Sequence, residues 1–248
     1  MGMPVILEVV DAHVTKEMFD EVFAYFVHID ETFSVYKSTS EISRINRGEL
    51  LLEEASEEMK TVFALAEETK QITQGYFDIK KPDGSYDPSG LVKGWAIDHG
   101  AQLLRSKGLQ DFFVHIAGDM QFSGKNPEGN KWSVGIQNPF NTLQESVKTV
   151  YLSQEGIATS GSYVRGDHIY NPLDHYENMH EIVSLTVIGP NVYEADRFAT
   201  AAYAMGKEGI NFIERLSGFE GYLIDANGIA TMTSGFTNYT SASYARTY

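Results

Sequence analysis

Two periods of hydrophobic and polar positions alternate along this chain. Thr15 can N-cap a helix whose apolar residues fall at Met18, Val22, Tyr25, Phe26 and Ile29, the three-to-four spacing of an amphipathic face. Ser56 precedes a second such run through Met59, Val62, Phe63 and Ala66, and Gly90 to Leu104 carries a third. Val5 to Val10 reads as a strand, and Phe33 to Lys37 as a polar-aromatic connection. From Phe112 the pattern shortens. Phe112 to Ile116, Trp132 to Ile136, Val147 to Leu152 and Ile182 to Ile188 read as strands, separated by Gly and Asn-Pro punctuation. Helix returns over Ala195 to Met205, and the tail from Tyr222 alternates again. The elements interleave without a regular βαβ period. The pattern therefore predicts one α+β domain over residues 1–248, with mixed sheets and interleaved helices, that could divide into two sub-lobes.

Composition narrows the partners. The net charge is -15, so phosphate backbones and anionic lipid heads are repelled, and neither nucleic acid nor a membrane surface is expected as a partner. An anionic ligand would need a local cation. The absence of Cys removes disulfides, thiolate metal sites and a cysteine nucleophile. No apolar run approaches the length of about 18 residues that a transmembrane helix needs. Met1 to Val10 has no basic segment followed by an apolar one. The sequence as it stands predicts a cytoplasmic chain, unless a leader or lipoprotein signal has been removed.

Three segments offer chemistry. In Glu194 to Thr200, Asp196 and Thr200 stand four apart, so on a helix their oxygens share a face. A carboxylate and a hydroxyl are hard oxygens of the kind Mg²⁺ takes alongside substrate phosphates. A solvated helix face offers the same spacing. In Asp87 to Asp98, Gly90 and Gly94 flank Lys93 where a loop enters a helix, an arrangement suited to an anion and equally to a surface lysine. In Gly156 to Tyr163, followed by His168 to Pro172, small and hydroxyl residues lie near a histidine that could act as a base or simply close a capped loop. There is no G-x-G-x-x-G, G-x-S-x-G or H-E-x-x-H. Gly118 to Lys125 has the wrong spacing for a phosphate loop.

The order of these segments is more informative than any one of them. Phe33-Ser34-Val35-Tyr36, then Ser40 to Asn46, resembles the "S-x-Y…S-E-I-S-R-x-N" segment of the ApbE family of FAD:protein FMN transferases. Gly75-Tyr76-Phe77-Asp78 resembles its "G-x-F-D", and Asp87 to Asp98 its "D-x-x-x-x-x-K-G-x-A-x-D". Ala117-Gly118-Asp119 is similar to "G-G-D", and Trp132 to Pro139 to "W-x-V-G-I-x-x-P". Thr159 to Tyr163 resembles "T-S-G-x-Y", His168 to Pro172 "H-I-x-D-P", and Ala195-Asp196 with Thr200 "A-D-x-x-x-T". These eight segments follow in family order, and the resemblance spans Met1-Gly2, similar to the family's opening "M-G-T", to about Gly206. Ala117 stands in place of a Gly, His115 where the family usually has Asn, and Asn171 in place of Asp. The stretch between Tyr163 and His168 is short.

The resemblance implies an ApbE-like flavin transferase domain. It implies Mg²⁺ held by Asp196, Thr200 and the carbonyl of Gly90. It also implies flavin contacts from Tyr36, Tyr76, Phe77, Asp78, Asp87, Lys93 and Tyr170, with His168 as the base. FAD would be the substrate and a flavoprotein Thr or Ser hydroxyl the acceptor, with AMP released. With water as acceptor the same site would be an FAD pyrophosphatase, and with no chemistry an FAD-binding protein.

Overall fold

The computed structural model describes residues 3–141, 146–161, 171–173 and 181–241. Strand β1 (Val5–Val9) leads into α1 (Lys16–Phe33), α2 (Glu41–Asn46), α3 (Glu57–Ile72) and α4 (Ser89–Ser106). Then follow β2 (Phe112–Ile116), β3 (Asp119–Ser123), β4 (Trp132–Ile136), β5 (Lys148–Leu152), β6 (Gly156–Gly161) and β7 (Ile182–Gly189). Helices α5 (Val192–Ala204) and α6 (Gly209–Glu214) and strands β8 (Glu220–Asp225) and β9 (Ala230–Met232) complete the order. The strands form a seven-stranded sheet, β1-β2-β3-β6-β7-β8-β9, and a two-stranded ribbon, β4-β5. The α+β class holds. Every strand pairing among the described residues is antiparallel, where mixed sheets were expected.

The two faces of the large sheet bury different partners because side chains alternate along each strand. Toward the helices, Phe112, Val114 and Ile116 pack with α1, α3 and α4, while Leu185, Val187 and Leu223 pack with α5 and α6. On the opposite face, Phe122, Ile157, Ile188, Tyr222 and Ile224 pack against Trp132, Val150 and Leu152 of the ribbon. Ile182 joins the helix side out of phase with Ile188 because the register shifts between Ile182 and Ser184.

Local chemistry fixes the helix starts that matter here. Ser56 Oγ accepts the Met59 N–H at 3.1 Å at the start of α3. Asn191 Oδ1 accepts the Glu194 N–H at 2.9 Å, and the buried Gln121 Oε1 accepts the Val192 N–H at 2.8 Å, so two of the open donors of α5 are satisfied. Buried Arg197 ties α5 to α3. Its guanidinium donates to Thr69 Oγ1 at 3.1 Å, pairs with Glu68 and Glu194, and lies over the rings of Tyr193 and Phe198.

The β2–β3 hairpin turns through two residues, Ala117 (φ 49°) and Gly118 (φ 96°), between the paired Ile116 and Asp119. Two successive positive φ values are what a tight antiparallel hairpin requires. Glycine adopts them freely. Ala117 holds its place at a cost of about 1–2 kcal/mol.

Candidate active site

A cavity of about 780 Å³ opens where the first turn of α4, the middle of α5, β6, the β2–β3 turn and the ribbon converge. It collects most of the residues singled out in the sequence. Tyr76, Phe77, Asp78, Asp87, Gly90, Lys93, Asp196 and Thr200 all line it. Tyr36 does not. It lies in the connection after α1, 92% exposed, and is absent from the cavity wall. His168 and Tyr170 lie outside the described residues.

The centre of the cavity is built by two helices in close contact. Gly94 on α4 donates its N–H to Asp196 Oδ2 at 2.7 Å. A Cβ at Gly94 would lie 2.5 Å from Asp196 Cβ and 2.7 Å from the Val192 carbonyl oxygen, so only glycine lets the helices approach this closely. One turn further along α5, Thr200 Oγ1 donates to the Gly90 carbonyl at 3.2 Å and lies 3.4 Å from Ser160 Oγ. A carboxylate, a hydroxyl and a main-chain carbonyl thus meet on one wall. All are hard oxygens, and as a set they suit Mg²⁺ completed by phosphate and water oxygens. Among the described residues no three acidic or histidine side chains gather into a closed metal cage. A cation held here would therefore share its coordination with a ligand.

Lys93 supplies positive charge at the same point. Its Nζ lies 2.6 Å from Asp119 Oδ2 and 3.5 Å from Asp196 Oδ1, and all three side chains are largely or wholly buried. Asp119 is anchored in turn, its Oδ1 accepting the Thr159 N–H at 3.1 Å. Burial pushes Asp196 up to about 7, reinforced by the negative charge of Asp119 and opposed by Lys93 and the Gly94 N–H. The sequence marked Asp119 only as the end of a "G-G-D"-like segment and gave Ser160 no role. Both act through neighbours that the packing of α4 and α5 on the sheet brings in.

Outside the centre, Asp87 Oδ1 accepts the Ser89 N–H at 3.1 Å beside the start of α4. Asp78 is bound by Lys70 at 2.7 Å, which turns its carboxylate into a fixed part of the wall. Phe77 is buried and Tyr76 half-buried, forming an aromatic side. Across the cavity the wall carries Met120, Val134, Ile136 and Ile157 with Ser133, Gln137 and Ser146, and includes His115.

Known proteins resemble this chain in sequence and in fold. The ApbE family model matches residues 1–83 and 79–223. The FAD:protein FMN transferase of Escherichia coli K12 is 32% identical over 166 residues, covering 64% of this chain and 47% of that protein. The FAD:protein FMN transferase of Haemophilus influenzae is 24% identical over 89% of this chain and 82% of its own. The chain thus spans about half the length of the Escherichia coli relative. Among solved structures, the flavin transferase ApbE from Vibrio cholerae superposes with a TM-score of 0.83 at 23% identity, covering 96% of both chains. The ApbE protein from Thermotoga maritima gives 0.84 at 20% identity, covering 97% of this chain and 96% of its own. These last two establish the shared fold. With the family model matched over most of its length, the chain belongs to the ApbE family.

Proposed function

We propose that this protein is a Mg²⁺-dependent FAD:protein FMN transferase, which attaches the FMN half of FAD to a Thr or Ser hydroxyl of an acceptor flavoprotein and releases AMP. The observation behind this reading is the convergence of Asp196, Thr200 and the Gly90 carbonyl with Lys93 on one wall of a cavity large enough for a dinucleotide. In a chain of net charge -15, that is where an anionic pyrophosphate finds compensation. Bound Mg²⁺ would neutralise charge on the phosphate oxygens as the phosphoanhydride breaks.

The chain's own groups do the rest. Gly90 stands in the first turn of α4, where a main-chain N–H favours an anion. Lys93, held between two carboxylates, is fixed to meet phosphate oxygens rather than swing. The acceptor hydroxyl oxygen bonds to the FMN-side phosphorus, the bond to the AMP oxygen breaks, and AMP leaves with that electron pair. The hydroxyl proton passes to His168 in this reading, a step worth typically ~10²–10⁴-fold. Tyr36, Tyr170 and His168 enter on the family resemblance alone.

The test is Mg²⁺-dependent cleavage of FAD in the presence of an acceptor domain, followed by chromatography. AMP with flavin bound to the acceptor supports the transferase. AMP with only free FMN indicates a pyrophosphatase, and FAD binding without AMP a storage protein. Asp196→Asn keeps an acceptor for the Gly94 N–H but removes the charge. It should lower AMP release by at least ~10²-fold with the fold retained.

A further inference from the structure

We propose that His115 is a ligand-binding residue of this chain, its Nδ1–H donating a hydrogen bond to an in-plane acceptor of one of the two ring systems of FAD. The proposal rests on the reading of the cavity as an FAD site. His115 projects from the face of β2 opposite the helices, directly across from Met120 on β3, and both line the cavity. The hairpin turn through Ala117 and Gly118 brings the Gly118 N–H back onto His115 Nε2 at 3.0 Å. A main-chain N–H can only donate, so Nε2 must be an acceptor and the proton of the neutral ring sits on Nδ1. Nδ1 has no hydrogen-bond partner among the described residues.

The surroundings identify the ligand chemistry. Beside His115 the wall carries the apolar Met120, Val134, Ile136 and Ile157, with the polar Ser133, Gln137 and Ser146 in or beside the ribbon among them. The groups proposed to meet phosphate, Lys93, Gly90 and Thr200, stand on α4 and α5 rather than on this hairpin and ribbon. Apolar side chains around an N–H donor oriented by the hairpin fit the edge of a flat heterocycle carrying a ring nitrogen or carbonyl oxygen. Adenine and isoalloxazine both offer such an edge. Asparagine can reproduce both halves of the arrangement, its carbonyl oxygen taking the Gly118 N–H and its amide donating to the ligand. A purely apolar side chain can reproduce neither.

The experiment measures binding of FAD, FMN and AMP to the full chain and to His115→Asn, His115→Phe and His115→Leu, with thermal melts to confirm folding. We expect His115→Phe and His115→Leu to weaken FAD by roughly tenfold, and to weaken one of FMN or AMP by a similar factor while sparing the other. The weakened half identifies the ring that His115 holds. His115→Asn should bind like the unaltered chain. Unchanged FAD affinity in the apolar variants, equal weakening of both halves, or an Asn variant as weak as Phe would each overturn the proposal. If the unaltered chain binds none of the three ligands, the FAD reading of the cavity falls as well, which separates the two failures.

Discussion

Asp196 Oδ2 and the Gly94 N–H meet at 2.7 Å across the crossing of α5 and α4. Together with the Thr200–Gly90 hydrogen bond and the Lys93–Asp196 ion pair, this hydrogen bond links the two helices, and it orients the carboxylate at the cavity centre. The glycine matters twice, for its exposed N–H and for its missing Cβ.

Gly94→Ala separates packing from propensity by the sign of its effect. Helix propensity alone favours alanine by about 1 kcal/mol. Pressing a methyl group against the Val192 carbonyl costs more, about 3 kcal/mol at the upper end for overpacked cores. The expected net loss is about 2 kcal/mol, or a fall in Tm of roughly 4–8 °C for a chain of this size. A thermal melt checks it, and a rise in Tm would show that the helices do not approach as described.

Lys93 sits between Asp119 and Asp196, both buried. Lys93→Met leaves two buried carboxylates without their cation, a change that typically costs about 3–5 kcal/mol. Adding Asp119→Asn should recover part of that loss, because one uncompensated charge disappears. Urea melts of the single and double variants measure the coupling. Simply additive losses would mean that the three groups do not act as a unit.

Some of this was readable in the sequence and some was not. Helices α1 and α3 follow from their apolar spacing; Ser56 caps α3 through its side chain, whereas Thr15 precedes α1 with no side-chain cap hydrogen bond. Strands β2, β4, β5 and β7 follow from alternation and β-branched content. Strand β3 escaped because its polar Asp119 and Gln121 are wholly buried, serving Lys93 and the start of α5. Strand β6 looked like a loop because Gly156 to Gly161 is mostly small residues, the composition that close packing against α5 demands. Six-residue α2 is too short to show a period, although Ser40 caps it through the Ser43 N–H. In the site, Asp196 with Thr200 and Lys93 with Gly94 were visible because each pair is local. The ion pair of Lys93 with Asp119 joins a helix to a hairpin, and spacing carries no trace of it.

His115 gives a pH dependence with a definite sign. Burial pushes its pKa below the ordinary 6.5, against an opposing pull from Asp119. Below 6.5 the unfolded chain therefore takes up a proton that the folded chain resists. The stability contributed by neutral His115 is full above 6.5 and is lost as pH falls through the lower folded value. His115→Asn removes that dependence, so the stability of the unaltered chain relative to the variant should fall on acidification. Denaturant melts at about pH 7.5 and about pH 5.5 test this, and a difference independent of pH would contradict it.

The most direct measurement is flavin fluorescence on the acceptor after denaturation. The protein is incubated with FAD, Mg²⁺ and an acceptor domain bearing a Thr, in parallel with Asp196→Asn and with a chelator in place of Mg²⁺. The account predicts fluorescence that stays with the denatured acceptor, together with AMP, in the complete reaction alone. Equal labelling by Asp196→Asn or in the chelator would contradict it, as would FAD that is bound tightly and never cleaved.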